Sequence, residues 1–278
     1  MGIYKEGYRE YSGPLYPART RFLVVASEEL LRMLRGKWSL RLMYLASVPF
    51  IVMVAIALFK GVLKSTGNFN LPVNPIVQLM SIEATVMALL AASAGAGVIA
   101  EDRKSRSLVL YLSRPLSPAR YAWGKGLALW GLLSIVFWIP ALVLSWVQAM
   151  VDPSFAGMAL LKIMAAVIFA GGGAMAVITV VVMALSSLGN RSGYIGMAWI
   201  ALYFFSDVVS HAVRQATNHA FYSDWFSFQR LLKGSMDWAL YPSFDTIGAP
   251  LVLLGIGFLA GGLLVWRLRR MMRTAVSA

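Results

Sequence analysis

Six apolar stretches govern what this chain can become. They cover residues 40–59, 77–100, 127–147, 160–185, 194–209 and 247–266, each near the ~20 residues needed to cross a bilayer. A backbone in hydrocarbon has no water to bond, so it must satisfy its amides and carbonyls internally, and segments of this length do so as α-helices. Composition agrees. With 59% hydrophobic and 13% charged residues, too few polar side chains exist to cover a water-facing surface. The expected fold class is an all-α integral membrane protein with six transmembrane helices, and Pro49 and Pro140 mark expected kinks. The absence of cysteine excludes disulfide frameworks, thiolate metal sites and cysteine nucleophiles. The first 21 residues are polar, aromatic and basic and lack the apolar core of a secretory signal.

Six spans put both termini on one side. Lys60, Lys64, Lys162, Arg214, Arg230 and Lys233 then face the opposite side, and the other nineteen of the 25 Lys and Arg share the side of the termini. Basic residues next to spans stay cytoplasmic. The net charge of +13 therefore reads as an orientation device with cytoplasmic termini, and no nucleic-acid partner is expected. The chain divides into a cytoplasmic N-terminal segment (1–39), a six-helix membrane domain (40–266) and a basic tail (267–278).

Ahead of the first span, Leu23, Ala26, Leu30, Met33 and Leu34 recur at helical spacing, with Glu28, Arg32 and Arg35 on another face. Glu28 and Arg32 suit an i,i+4 pair. This pattern predicts an amphipathic helix on the membrane surface, the alternative being a solvated cytosolic helix. Small residues mark expected helix contacts: Gly95 and Gly97 end the second span, Gly171 opens a glycine run in the fourth, and Gly257 and Gly261 form GxxxG in the sixth.

The segment 101–125 between the second and third spans is the richest in signal. It opens on Glu101, Asp102, Arg103, Lys104 and Arg106, and turns apolar at Leu108–Leu112 around Tyr111. Pro115 and Pro118 break it before Gly124–Lys125. An acid ahead of a Leu-rich stretch, then Ser-x-Pro and Gly-Lys opening the next span, resembles the pattern of ABC-2 permeases, the membrane subunits of a class of ABC exporters. Ser107 stands where that family has Thr, Arg106 where it has Gly, and Lys104 where an acid is frequent. The resemblance implies a short cytoplasmic coupling helix that docks into a separate ATPase subunit, with Glu101, Asp102, Arg103, Lys104, Arg106, Leu108 and Tyr111 as the coupling residues. It also implies a second permease copy or a related permease as partner, a bacterial inner-membrane location, and ATP and magnesium held by the ATPase. No cofactor is expected on this chain. The plain alternative is a basic, lipid-facing linker.

Between the fifth and sixth spans, residues 211–246 are aromatic-rich, with Trp225, Phe228 and Trp238 as candidates for an outer lid or interface and an interfacial anchor belt as the alternative. Glu83 is an acid inside the second span, expected to reach headgroups or water from a shallow depth. Asp207, His211 and His219 are too few for a persuasive metal site. The chain has no P-loop, H-E-x-x-H or G-x-S-x-G motif, so it is not expected to be an enzyme. The rival readings are a secondary transporter, a membrane-bound lipid enzyme, and an ABC-like membrane anchor that moves no substrate.

Overall fold

The computed structural model describes residues 20–65, 74–105, 117–217, 223–243 and 247–276. Among these, ten helices follow one another: α1 (Arg21–Leu34), α2 (Lys37–Ser65), α3 (Pro75–Gly95), α4 (Gly97–Lys104), α5 (Pro118–Val151), α6 (Met158–Ala166), α7 (Gly172–Leu188), α8 (Ser192–Thr217), α9 (Phe228–Leu240) and α10 (Gly248–Val276). Six helical runs are long and apolar enough to cross a membrane: Lys37–Leu63, Pro75–Lys104, Ala119–Val151, Met158–Leu188, Ser192–Thr217 and Gly248–Met271. All six expected spans are present, and most extend past their expected ends. Pro49 and Pro140 lie inside α2 and α5, whose helices run on through them.

The two spans built from paired helices, α3–α4 and α6–α7, form the middle of the bundle. In each, 67% of the most apolar window is buried, against 17% in α2, 28% in α8 and 11% in α10. A helix apolar all round is content in either place, because lipid and protein core are equally oily. Close packing decides which goes inside. A Cβ on Gly95 would stand 2.7 Å from both Leu129 of α5 and Val182 of α7, and one on Gly171 would stand 2.4 Å from the Phe137 ring. Gly257 faces Val177 at 3.2 Å and Gly261 meets Val180 at an ordinary 3.7 Å, so the GxxxG face lies along α7. The atoms nearest a Cβ on Gly97 belong to the Glu101 side chain of its own helix, at 2.7 Å.

Two breaks in the central spans escaped the sequence reading. Between α3 and α4 the helix turns at Ala96, and Ser186 of α7 stitches the break. Its hydroxyl donates to the Ala96 carbonyl (2.8 Å) and accepts from the amides of Ile99 (3.0 Å) and Ala100 (3.1 Å). Between α6 and α7, Val167–Gly171 forms a π-helical turn. Just beyond it, the Gly172 carbonyl accepts from the Trp130 indole at 2.9 Å.

Candidate functional site

The expected separate coupling helix does not begin at Glu101. Glu101–Lys104 continue the second span as α4, and Ser117 caps α5, which already includes Gly124 and Lys125. The described ends of the segment are therefore span termini. Arg106, Leu108 and Tyr111 lie outside the described residues.

Where these termini meet α1, charge is buried. Lys125 is 1% exposed, and its ammonium lies 2.5 Å from Glu29 Oε2 and 2.9 Å from Asp102 Oδ2. The Tyr121 hydroxyl donates to the same Asp102 oxygen at 2.6 Å, and the ammonium sits 5.8 Å from the Tyr121 ring centroid. One cation thus joins two acids from different helices, α1 and α4, while standing on a third. Desolvating three charges is tolerable only when each finds a partner, and here each does.

Gly124 makes this junction possible. A Cβ there would fall 2.8 Å from the Phe22 carbonyl and 3.1 Å from Val25, so α1 lies directly on the α5 backbone. The Gly–Lys pair works as one device: the glycine admits the helix and the lysine fastens it. The predicted stripe of α1 does face the bundle, with Met33 buried and Leu30 and Leu34 packed on the core, but it also carries an acid. Glu29 and Met33 are buried, whereas Leu23 is 50% exposed. Arg32 pairs with Glu101 of α4 rather than with Glu28. Helical spacing sets Glu29 beside Ala26 and Met33 and Glu28 on the polar face, but the partner of Glu29, Lys125, lies ninety-six positions away.

The remaining coupling candidates divide by exposure. Asp102 is 6% exposed and turned inward, Glu101 and Arg103 are half-buried, and Lys104 is exposed. Arg103 donates to the Ser187 carbonyl near the C-terminal end of α7 at 3.3 Å, where a cation also suits the helix dipole. The base of the second span is thereby tied to α1, α5 and α7.

At the other end of the bundle, the aromatic segment folds inward. Phe228 is 4% exposed, its ring 5.4 Å from Trp199 and 6.1 Å from Tyr203. Trp225 is exposed and Trp238 half-buried. Ser227 caps α9 and donates to Asp207 at 2.9 Å. Arg230 reaches Asp207 (3.2 Å), Asp224 (2.7 Å) and the His211 ring (2.9 Å). The hydrogen bond to Asp224 raises the guanidinium pKa further. Burial raises the Asp237 carboxyl above its usual range, with Lys233 opposing. A guanidinium shared by two carboxylates ties the start of α9 to α8; His219 lies outside the described residues. Among the described residues no three His, Cys, Asp or Glu side chains gather as a metal site would need.

Glu83 does not reach water. It stands about 12 Å along the helix from Pro75, is 0% exposed, and neither carboxylate oxygen has a hydrogen-bond partner among the described residues. The Gln148 side-chain oxygen is likewise unpartnered.

No known protein-family model matches this chain, and no curated protein is significantly similar to it.

Proposed function

We propose that this chain is the membrane-spanning permease subunit of an ABC-type exporter of the ABC-2 class, working with a second permease and with cytosolic ATPase subunits that bind ATP and magnesium. The observation that carries this reading is the buried Glu29–Lys125–Asp102 junction. It fastens the N-terminal amphipathic helix and both ends of segment 101–125 into one body. A push delivered to that segment would therefore move the bases of the second and third spans and α1 together, instead of being absorbed by a slack loop. Arg103 on Ser187 passes the same displacement to the fourth span. Asp102 acts within this reading as a brace for the segment, and the exposed Lys104, with Arg106, is left to meet the partner.

An ion-coupled secondary transporter is the second reading, favoured by one observation: Glu83 is an intramembrane acid without a partner among the described residues. Affinity purification from native membranes separates the two. The ABC reading expects a P-loop ATPase to accompany the chain and to be lost from K104E/R106E while the permease still folds. The chain has no native cysteine, so a single L108C probe reports sidedness cleanly. Labelling of L108C by an impermeant maleimide from the outer side, or transport by the purified chain alone, would sink the ABC reading.

A further inference from the structure

Three features outside the junction invite a role: Glu83, unpartnered among the described residues, the Arg230 cluster, and an apolar cleft in the half of the bundle that holds the junction, the cytoplasmic half in the proposed orientation. The cleft goes furthest. It has a volume of about 680 Å³ and is walled by α5 and α10, with α7 as its floor. α10 packs along α7 but stands off α5, and small residues at Ala122, Gly126 and Gly261 keep the gap open. On α5 the lining runs from Ser117 to Trp130, roughly 20 Å of helix, and on α10 from Gly261 to Arg269, roughly 12 Å. One leaflet of a bilayer's hydrocarbon core is ~15 Å deep. The cleft thus has the length of one leaflet and opens sideways to it.

Its polarity is lopsided. The lining is apolar except for Ser117, Thr179 and Arg269. Thr179 is satisfied by its own helix, donating to the Met175 carbonyl at 2.8 Å. Ser117 and Arg269 both lie at the mouth nearest the basic span ends, and the exposed Trp123 lines the same cleft. Arg269 is exposed and makes no ion pair or hydrogen bond among the described residues, and no acid lines the cleft. The geometry points to a bound anionic phospholipid of the cytoplasmic leaflet, with an acyl chain along the α5–α7–α10 cleft and its phosphate at Arg269. Basic pockets between helices on the cytoplasmic side select such headgroups. A second copy of this chain is the poorer occupant. In the same membrane orientation it would bring its own basic mouth against Arg120, Arg269 and Arg270, and like charges across an interface repel.

This inference does not rest on the transport reading, and its test needs no transport assay. The full-length chain is reconstituted in mixed phosphatidylglycerol and phosphatidylcholine, extracted in mild detergent, and its retained lipid counted by native mass spectrometry. The expected result is one phosphatidylglycerol retained in preference to phosphatidylcholine. R269A should reduce that retention about fivefold and R269E on the order of 25-fold. R191A, outside the cleft, should leave it unchanged. V265C, on the cleft wall, should be quenched by lipids spin-labelled on the acyl chain when its thiol carries a fluorophore, and should form no chain-to-chain disulfide when its thiol is free. Equal retention of the two lipids, or equal loss in R191A and R269A, would overturn the site. Disulfide formation at V265C would hand the cleft to a second copy.

Discussion

Asp102 and Glu83 are both acids of the second span, both shut away from solvent, and their surroundings could hardly differ more. Asp102 receives an ammonium and a phenol on one oxygen and lies where three helices converge. Glu83, nineteen residues earlier, has no partner on either oxygen among the described residues. The first acid joins elements that would otherwise separate. The second does nothing visible for the packing around it. A buried charge that holds helices together and a buried acid that waits for something absent are distinguishable by what their removal does.

The junction should give the largest effect. Lys125→Met leaves Glu29 and Asp102 facing each other without a cation, and removing one member of a buried ion group costs about 3–5 kcal/mol. Denaturant or thermal unfolding in detergent should show a loss of that size. The triple variant E29Q/D102N/K125M should recover most of it, because neutral partners need no counter-charge. If K125M unfolds like the unmutated chain, the junction is ornamental and the mechanical reading of it falls.

Glu83 should move stability the other way. Replacing an unsatisfied buried polar group with an apolar one of similar shape removes a desolvation cost of about 1–3 kcal/mol, so Glu83→Met should raise the unfolding midpoint. A stabilised E83M that has lost its activity in native membranes would make Glu83 a functional acid kept at the expense of the fold. An E83M that is destabilised as severely as K125M would mean that Glu83 has a partner when lipid surrounds it, and the contrast between the two acids would dissolve.

The comparison also shows where sequence reasoning succeeds. Spans are legible because one quantity, unbroken apolar length, decides them locally. Gly124–Lys125 stands out as a spaced motif, but its partner does not, because Glu29 meets Lys125 only once Gly124 lets α1 settle on α5. Hydrophobic periodicity assumes that the buried stripe is apolar, and at α1 the stripe contains an acid. The turn at Ala96 and the π-helical turn at Val167–Gly171 were hidden for another reason. Ala96 sits in a run of small residues and Val167–Gly171 in an apolar one, both of which suit an unbroken helix equally well, and the groups that bond there, Ser186 and Trp130, come from other spans. Glu83 was visible as an acid, yet its depth depends on how far α3 extends outward, which composition alone does not settle.

The smallest effect belongs to the junction's outer companion. Arg32 and Glu101 form an ion pair between the same two helices as Glu29 and Asp102, but their side chains are 56% and 44% exposed. Exposed pairs are worth ~0.2–1 kcal/mol, and salt screens them, with a Debye length of ~3 Å at 1 M. A double-mutant cycle on R32A and E101A should return a coupling in that range at low ionic strength and none at 1 M salt. The K125M loss should persist at both, since no ions reach the interior. If the Arg32–Glu101 coupling matched the cost of K125M and survived high salt, α1 would be clamped at its rim as firmly as at its centre. The division between a buried fastening and a solvated edge would then be lost.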